Sequence, residues 1–320
     1  MTDPELAVRN SGWGGRGYIL PADSWEGAKK VKGSSGNFIP ARLDWGGNTT
    51  IVPSVTTVLK AAAKPAIEQW VADQTAAYAV ANVDELLRRT ETQGWGFLRW
   101  YHKREPQPLE EGFDIRNYAS GVLNDSAELG TQVHEWIEAD VDPSCSFPEV
   151  DNLGDMFWEM QEEWEKFSAK HFIMPVRTEC TVWNHQFGYA GTFDGLWNID
   201  GEDWLLDIKT ARSLWPDHMM QLAALMSGET YFTKQEDGTW VEDDFRPLVE
   251  NVRYGFLHVR PNDVDTHGNP IPAFVRLEEA SHLDLRFEQF KGYLAAKRVE
   301  LAIKEIESAA QVESSTDRLA

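Results

Sequence analysis

The sequence predicts an α/β fold, with a mixed central sheet flanked by helices and preceded by a largely helical N-terminal segment. The stretch Gly188–Thr210 contains two runs of strand type, Ala190–Ile199 and Trp204–Thr210, separated by the turn-forming residues DGED. Helical spacings of apolar residues lie before and after this stretch. The resulting order of helix, three strands, helix and strand is typical of a sheet covered by helices.

Composition limits the class of protein. The chain has 320 residues, of which 42% are hydrophobic, so it can bury a large core as one large domain or two unequal ones. It has no run near the ~20 apolar residues that cross a bilayer, and its N-terminus lacks the basic and apolar regions of a secretory signal. Two cysteines, Cys145 and Cys180, favour a reducing compartment and exclude a four-cysteine zinc or iron–sulfur site from this chain alone. We expect a cytoplasmic protein with no membrane partner.

The net charge of −22 is unevenly distributed along the chain. Residues 1–120 carry 14 basic and 14 acidic side chains, whereas residues 121–320 carry 16 basic and 38 acidic ones. An acidic surface opposes non-specific binding to nucleic acid. The charge therefore argues against a general DNA-coating protein, but it leaves room for an enzyme that binds DNA in a local groove with the help of a metal.

Residues 1–120 form the predicted N-terminal domain. Ser54 is placed to cap a helix that continues as VTTVLKAA, and Pro65 is placed to open a second helix. A third helix, over residues 83–103, interleaves basic with aromatic side chains. Such interleaving suits a single strand, whose phosphates need cations and whose bases stack on rings. An amphipathic helix with core aromatics and solvated charges explains the same pattern, and we favour that interpretation.

A helix through Ala139 contains a candidate metal ligand. Asn124–Ser126 supply capping residues, and apolar residues recur at i, i+4 and i+7 behind them. His134 and Glu138 are four residues apart and share the neighbouring face. A single histidine beside an apolar stripe is more often a hydrogen-bonded structural residue than a ligand, so the helix alone leaves its role open. The next helix is predicted over Val150–Lys170.

The predicted hairpin holds the side chains with the clearest chemistry. Because side chains alternate along a strand, Asp207 and Lys209 lie on one side and the apolar residues between and before them on the other. If the two strands pair, Asp194 lies near Asp207. Two carboxylates and an ammonium at the end of an apolar sheet are costly to bury without a cation. The pattern indicates a divalent-metal site with an adjacent lysine. The alternative is a partly buried salt-bridge cluster, although such clusters stabilise a fold poorly.

Further elements surround this hairpin. A strand over Met174–Trp183 precedes it and contains an isolated carboxylate, Glu179. A helix over Pro216–Ser227 follows it and contains Gln221. The remaining predicted elements are strands over Val252–Arg260 and Ile271–Leu277, a helix over Ser281–Glu307, and a disordered tail over residues 308–320.

Together these residues resemble the RecB-like exonuclease branch of the PD-(D/E)XK nuclease superfamily, which includes CRISPR-associated and phage recombination exonucleases. The matching positions are His134 in GTQVHEWIEA, Glu179, Asp194 in GTFDG, Asp207 and Lys209 in LLDIKT, and Gln221. The resemblance covers residues 121–260, and the segment PSVTTVLKAAAKPAIEQW is also similar to phage-encoded members. Asp-x-Lys alone is a weak signal, whereas four elements in this order are a strong one.

The resemblance implies a restriction-endonuclease-like core over residues 121–307, after a substrate-guiding segment at 1–120. It also implies one or two Mg²⁺ or Mn²⁺ ions bound by His134, Asp194, Asp207 and the backbone carbonyl of Ile208. In addition, Glu179 would support this site or bind through water, Lys209 would orient or deprotonate the attacking water, and Gln221 would position the lysine or a phosphate.

Two features depart from the branch. It often has a tyrosine four residues after the glutamine, where this chain has Leu225. The iron–sulfur cysteines of some members are also absent from the sequence, so we expect no such cluster.

We therefore expect a metal-dependent DNA exonuclease in phage or bacterial recombination or repair, acting on DNA, with a single-strand annealing protein as a partner implied by the resemblance. Phosphodiester hydrolysis needs neutralised charge on the phosphate and an activated water, and oxygen ligands with one imidazole suit Mg²⁺ or Mn²⁺. The alternatives are a structure-specific endonuclease of the same fold and a non-catalytic DNA-binding subunit. The complete set of Asp194, Asp207 and Lys209 argues against the latter.

Overall fold

The structure is a computed structural model that describes residues 7–8, 15–19, 30–32, 38–40, 51–62, 65–94, 115, 118–149, 154–234, 240–265 and 267–316. The chain divides into two compact units. The larger consists of Met1–Ala62 and Val133–Ala320, and the smaller of Ala63–Gln132.

In chain order the strands are β1 (Ala7–Val8), β2 (Gly17–Ile19), β3 (Lys30–Lys32), β4 (Phe38–Pro40), β5 (Ile51–Pro53), β6 (Ile173–Asn184), β7 (Tyr189–Ile199), β8 (Glu202–Lys209), β9 (Thr230–Lys234), β10 (Trp240–Asp244), β11 (Arg253–Arg260), β12 (Asp263–Val264), β13 (Pro270–Ile271) and β14 (Phe274–Glu279). The helices of the described residues are α1 (Val55–Leu59), α2 (Pro65–Ala81), α3 (Val83–Gln93), α4 (Tyr118–Val141), α5 (Asp155–Ser168), α6 (Pro216–Met226) and α7 (Leu283–Thr316), with a 3₁₀ helix at Arg246–Val249.

A seven-stranded sheet forms the centre of the larger unit, in the order β10-β9-β6-β7-β8-β11-β14. Strands β8 and β11 pair in parallel, and the other neighbours pair antiparallel, so the sheet is mixed. Helix α6 lies in the chain between β8 and β11, and such a crossover is what joins parallel strands. The prediction of an α/β fold with a mixed central sheet is confirmed.

The core of the larger unit lies between this sheet and its helices. Apolar side chains of α1, α6 and α7 share one buried cluster with those of β7, β8 and β11. Phe193, Leu205, Leu222 and Phe290 are among its fully buried members. Helix α5 packs against β11 and β14. Burial of each large apolar side chain contributes about 1.5–3 kcal/mol, so this packing fixes where the hairpin β7–β8 stands.

The hairpin β7–β8 forms as the sequence predicts. Its turn is tighter than the DGED cluster indicated, because only Asp200 and Gly201 lie outside the strands. Both have positive φ, of 53° and 89°, as a two-residue hairpin turn requires. Asp200 also accepts a hydrogen bond from the backbone of Phe172, which ties the turn to the start of β6.

Two predicted helix boundaries move in the structure. Helix α4 begins at Tyr118 rather than at the capping residues near 124, and the Ser126 hydroxyl donates back to the Val122 carbonyl inside the helix. Helix α3 ends at Gln93, where Gly94 adopts a φ of +62°. The basic and aromatic residues at 95–104, on which the single-strand interpretation depended, lie outside the described residues.

Two predictions elsewhere in the chain are corrected. The strand expected over 271–277 is two strands, β13 and β14. Residues 308–316 continue helix α7 rather than starting a disordered tail, because that stretch has no Gly or Pro and contains the helix formers Ala, Gln and Glu. Residues 317–320 of the predicted tail lie outside the described residues.

The two compact units divide the chain after residues 62 and 132, and the domain boundary at residue 120 stays a prediction. Strand β2 and helix α1 belong with the sheet because Tyr18 hydrogen-bonds Thr192 on β7 at 2.9 Å, and Val55 and Val58 enter the core. The smaller unit contains α2, which opens at Pro65 as predicted, and α3. In the described part of the chain, none of the helices combines the length and apolar character that a bilayer span needs.

Candidate metal centre

Three neighbouring strands each present a carboxylate at the same level of the sheet. Gly195 on β7 pairs with Thr178 on β6 and with Leu206 on β8. The neighbouring residue on the same side of each position is acidic, because β7 runs antiparallel to β6 and β8. These residues are Glu179 after Thr178, Asp194 before Gly195 and Asp207 after Leu206. The register of the sheet therefore brings together carboxylates that are separated by up to 28 positions in the sequence.

The backbone opens at this level. The pairing of β7 with β8 ends at Gly195 and Leu206, and the Ile208 N–H donates instead to Asp194 Oδ2 at 2.6 Å. On the other side, Glu179 adopts a φ of +50°, which removes it from the regular alternation of β6. A non-glycine residue in this region is uncommon and is found at functional sites.

Helix α4 supplies two further side chains from above the hairpin. His134 Nδ1 lies 3.5 Å from Asp194 Oδ2. Glu138 follows one helical turn later, and one ligand atom from each of His134, Glu138 and Asp194 lies within 4.8 Å of the other two. The opposite side of α4 holds it in place, since Trp136 packs against Phe157 of α5 at a centroid distance of 5.5 Å.

Lys209 and Gln221 hold Asp207. The Lys209 ammonium pairs with Asp207 Oδ2, and Gln221 Nε2 donates to Asp207 Oδ1 at 3.0 Å. The Asp207 side chain is 1% exposed and that of Lys209 is 15% exposed, so the pair is buried. Helix α6 thus contributes one side chain that fixes the orientation of the carboxylate.

The Ile208 peptide lies between the two groups of ligands. Its N–H donates to Asp194, as described above. It also hydrogen-bonds His134 in a way that raises the imidazole pKa, which identifies its carbonyl oxygen as the acceptor. The carbonyl that the resemblance assigns to a metal is therefore beside His134.

Burial dominates the electrostatics of the predicted acid–lysine set. It raises the pKa of Asp207 to about 6, although Lys209 opposes the rise. Burial also raises the pKa of Asp194, opposed by Lys209 and by the Ile208 N–H. Burial lowers the pKa of Lys209, but Asp207 and Asp194 outweigh it and the pKa ends above its ordinary value. Lys209 is therefore cationic at neutral pH in this structure.

Glu138 and Glu179 share one proton. Burial, followed by the charges of Glu179 and Asp194, raises the pKa of Glu138 well above its usual range. Burial and the charge of Asp194 also raise the pKa of Glu179 above its ordinary value. The hydrogen bond with Glu138 opposes this rise. Glu138 is therefore the donor and Glu179 the acceptor.

His134 is neutral at pH 7. Burial, and then the charge of Lys209, lowers its pKa to about 4. A neutral imidazole keeps a ring lone pair for a cation, which a protonated one cannot offer.

The residues fit a divalent cation. Four buried or half-buried carboxylates lie here, namely Glu138, Glu179, Asp194 and Asp207. The nearby cations are Lys209 and Arg16. Glu138 Oε1 is buried and accepts no hydrogen bond from the described residues. Carboxylate oxygens with one imidazole suit Mg²⁺ or Mn²⁺.

All the predicted site residues lie at this one place, namely His134, Glu179, Asp194, Asp207, Ile208, Lys209 and Gln221. Glu138 was not among them. Its spacing of four residues from His134 was the available signal, but that spacing is equally common on a solvated helix face. Leu225, which stands where the branch often has a tyrosine, is fully buried in the core.

No protein-family model and no curated protein matches this chain. The site consists of carboxylates and a neutral imidazole that can hold a cation. Beside them lies a buried ammonium that can orient an anion or a water.

Proposed function

We propose that this chain is a metal-dependent deoxyribonuclease that hydrolyses phosphodiester bonds as an exonuclease in recombination or repair. Its core would be of the restriction-endonuclease-like type found in the RecB-like branch. One observation carries the proposal: Asp194, Asp207 and Lys209 meet His134 at the point where the hairpin β7–β8 opens. A salt bridge built only for stability has no need of a buried imidazole or of additional carboxylates.

The residues would divide the work as follows. His134, Asp194, Asp207 and the Ile208 carbonyl would hold Mg²⁺ or Mn²⁺, which when bound supplies Lewis-acid stabilisation of charge on the phosphate. Lys209, cationic here, would donate hydrogen bonds to a phosphate oxygen or to the attacking water.

Gln221 and Glu179 would act through these groups. Gln221 donates to Asp207 Oδ1 and so fixes the orientation of that carboxylate. Glu179 stands beside Asp194 in the register of the sheet and would support the site or bind a cation through water. Such supporting contacts orient the groups that bind a metal directly.

The overall charge of −22 is compatible with a DNA substrate only through local neutralisation. A cation at the acidic site and Lys209 beside it would provide that neutralisation. We also propose, on the resemblance alone, that the protein acts in the cytoplasm of a bacterial cell, guides DNA with residues 1–120 and works with a single-strand annealing protein.

The test uses end-labelled linear single- and double-stranded DNA and a closed circular DNA, each with EDTA, Mg²⁺ or Mn²⁺. We expect no cleavage in EDTA and progressive shortening of linear DNA with either metal. Replacing Lys209 with Ala should lower the rate about 10²–10⁴-fold, since it removes a group that positions or activates water. The matched control is Lys166→Ala, which removes a half-exposed surface lysine.

Two other results separate the alternatives. Cleavage of the closed circle would identify an endonuclease of the same fold. DNA binding with no cleavage under any metal would identify a non-catalytic subunit. Cleavage at the parental rate by Lys209→Ala would refute the mechanism itself.

A further inference from the structure

Glu138 is buried without the contacts that a structural carboxylate needs. Glu138 is 4% exposed, and its Oε1 atom accepts no hydrogen bond from the described residues. Its one side-chain hydrogen bond at this site goes to Glu179, another acid. A buried acid with an unsatisfied oxygen costs about 1–3 kcal/mol or more, so the position needs a partner that these residues do not provide.

The side chain is directed at the candidate metal centre. One ligand atom of Glu138 lies within 4.8 Å of those of His134 and Asp194. Glu138 follows His134 by one helical turn, so both project from the same side of α4. A carboxylate oxygen of Glu138 thus stands within reach of a cation held by His134 and Asp194.

Both oxygens of the Asp207 carboxylate already contact protein groups, whereas Glu138 Oε1 accepts no hydrogen bond from the described residues. Asp207 Oδ2 pairs with Lys209, and Oδ1 accepts from Gln221. The imidazole and carboxylates whose ligand atoms lie within 4.8 Å of one another are those of His134, Glu138 and Asp194.

We propose that Glu138 is a direct ligand of the divalent cation, so that helix α4 contributes two ligands and the site is centred between α4 and β7. This inference rests on the proposed function for the presence of a cation, and it adds a ligand that neither the motifs nor the resemblance assigns. Two carboxylates with one imidazole favour Mn²⁺ or Mg²⁺ over Ca²⁺, which prefers six to eight oxygen ligands.

The test measures cation binding without DNA. The full chain is titrated with Mn²⁺, and free Mn²⁺ is counted from its electron paramagnetic resonance signal. Glu138→Gln keeps the size of the side chain and its capacity to hydrogen-bond Glu179, but removes the carboxylate. We expect its Mn²⁺ affinity to fall at least about tenfold, since even residues outside the direct ligand set cost ~10–100-fold in metal sites.

The matched control is Glu128→Gln, which removes one exposed carboxylate from the same helix. Its Mn²⁺ affinity should equal that of the wild type, because general surface charge contributes little to a ligand bond. An equal loss in both variants would overturn the inference, since the effect would then be one of net charge.

Folding is checked by thermal unfolding in EDTA. Glu138→Gln should unfold no earlier than the wild type, because it removes a buried acid from beside Glu179 and Asp194. If it does unfold earlier, Glu138→Asp takes its place, since this variant keeps the charge but withdraws the oxygens by one methylene. The Asp variant should also bind Mn²⁺ more weakly.

The outcomes distinguish this inference from the proposed function. If the wild type binds Mn²⁺ and a folded Glu138 variant binds it equally well, Glu138 is only a hydrogen-bond partner of Glu179 and this inference alone is wrong. If the wild type binds no Mn²⁺ or Mg²⁺, the inference and the proposed function are both wrong.

Discussion

Replacing Lys209 with Met tests how much the stability of the fold depends on the ammonium that pairs with the buried Asp207 carboxylate. The Asp207 side chain is 1% exposed, so the substitution leaves a buried carboxylate without its opposite charge. Breaking such a pair from one side costs about 3–5 kcal/mol. At about 2–4 °C per kcal/mol for domains of this size class, we expect the melting temperature in EDTA at pH 8 to fall by roughly 6–20 °C.

The structure also fixes how this loss depends on pH. The pKa of Asp207 is raised from 3.8 to about 6 even with Lys209 present, and a rise of about two units corresponds to about 3 kcal/mol against the charged form. Without Lys209 this pKa rises further. Because the folded pKa lies above the unfolded one, stability is lost as the pH rises and is regained as Asp207 takes up a proton below about pH 6. The difference between Lys209→Met and wild type should therefore shrink from pH 8 to pH 5.

The assay is thermal or urea unfolding followed by tryptophan fluorescence, in EDTA, at both pH values. Lys297→Met is the matched control, because the Lys297 side chain is 10% exposed but its partner Glu300 is 43% exposed. A carboxylate in contact with water loses little stabilisation when its partner is removed. This control should therefore lower the free energy of unfolding by less than about 1 kcal/mol at either pH. A loss for Lys209→Met that is equal at pH 5 and pH 8 would refute the electrostatic reasoning.

Four further predictions concern the site, the sheet and helix α7. Gln221→Ala should lower nuclease activity about 10–100-fold in the cleavage assay, because it frees the Asp207 carboxylate to rotate. Mn²⁺ at 100 times its dissociation constant should raise the free energy of unfolding by about 2.7 kcal/mol, measured against EDTA by urea titration. Gly255→Ala should destabilise by at least about 1–3 kcal/mol in the same titration, because its Cβ would lie 2.6 Å from the Glu278 carbonyl oxygen. Gly292→Ala, in helix α7 with no atom within 4 Å, should instead stabilise by about 0.5–1 kcal/mol.

Local sequence was sufficient to predict the hairpin. The turn Asp200–Gly201 needs positive φ at two residues, and Asp-Gly is among the pairs that adopt it most readily. The length of this turn then fixes the register of the two strands, both of which are largely buried. The proximity of Asp194 and Asp207 follows from these two local facts.

The role of Glu138 could not be predicted in this way. On the sequence it is one of many acidic residues on helices with a solvated face. Its burial depends on α4 packing through Trp136 onto α5 while its other side faces β7. That arrangement is set by residues far apart in the chain, and no local spacing encodes it. A contact between distant residues also attaches β2 to the sheet, since Tyr18 hydrogen-bonds Thr192.

The opening between β7 and β8 explains why the acidic residues can be buried at all. At Gly195 a Cβ would lie 2.4 Å from the Trp197 ring, so the strand needs glycine there. One residue further, Asp194 replaces a backbone carbonyl as the acceptor for the Ile208 N–H. One carboxylate oxygen is thus satisfied by the sheet itself, and the charge that remains is shared with Asp207 and the α4 side chains. A cation bound at this opening would stabilise the register of the two central strands as well as supply chemistry, so metal affinity and the stability of the sheet should change together in any variant of Asp194.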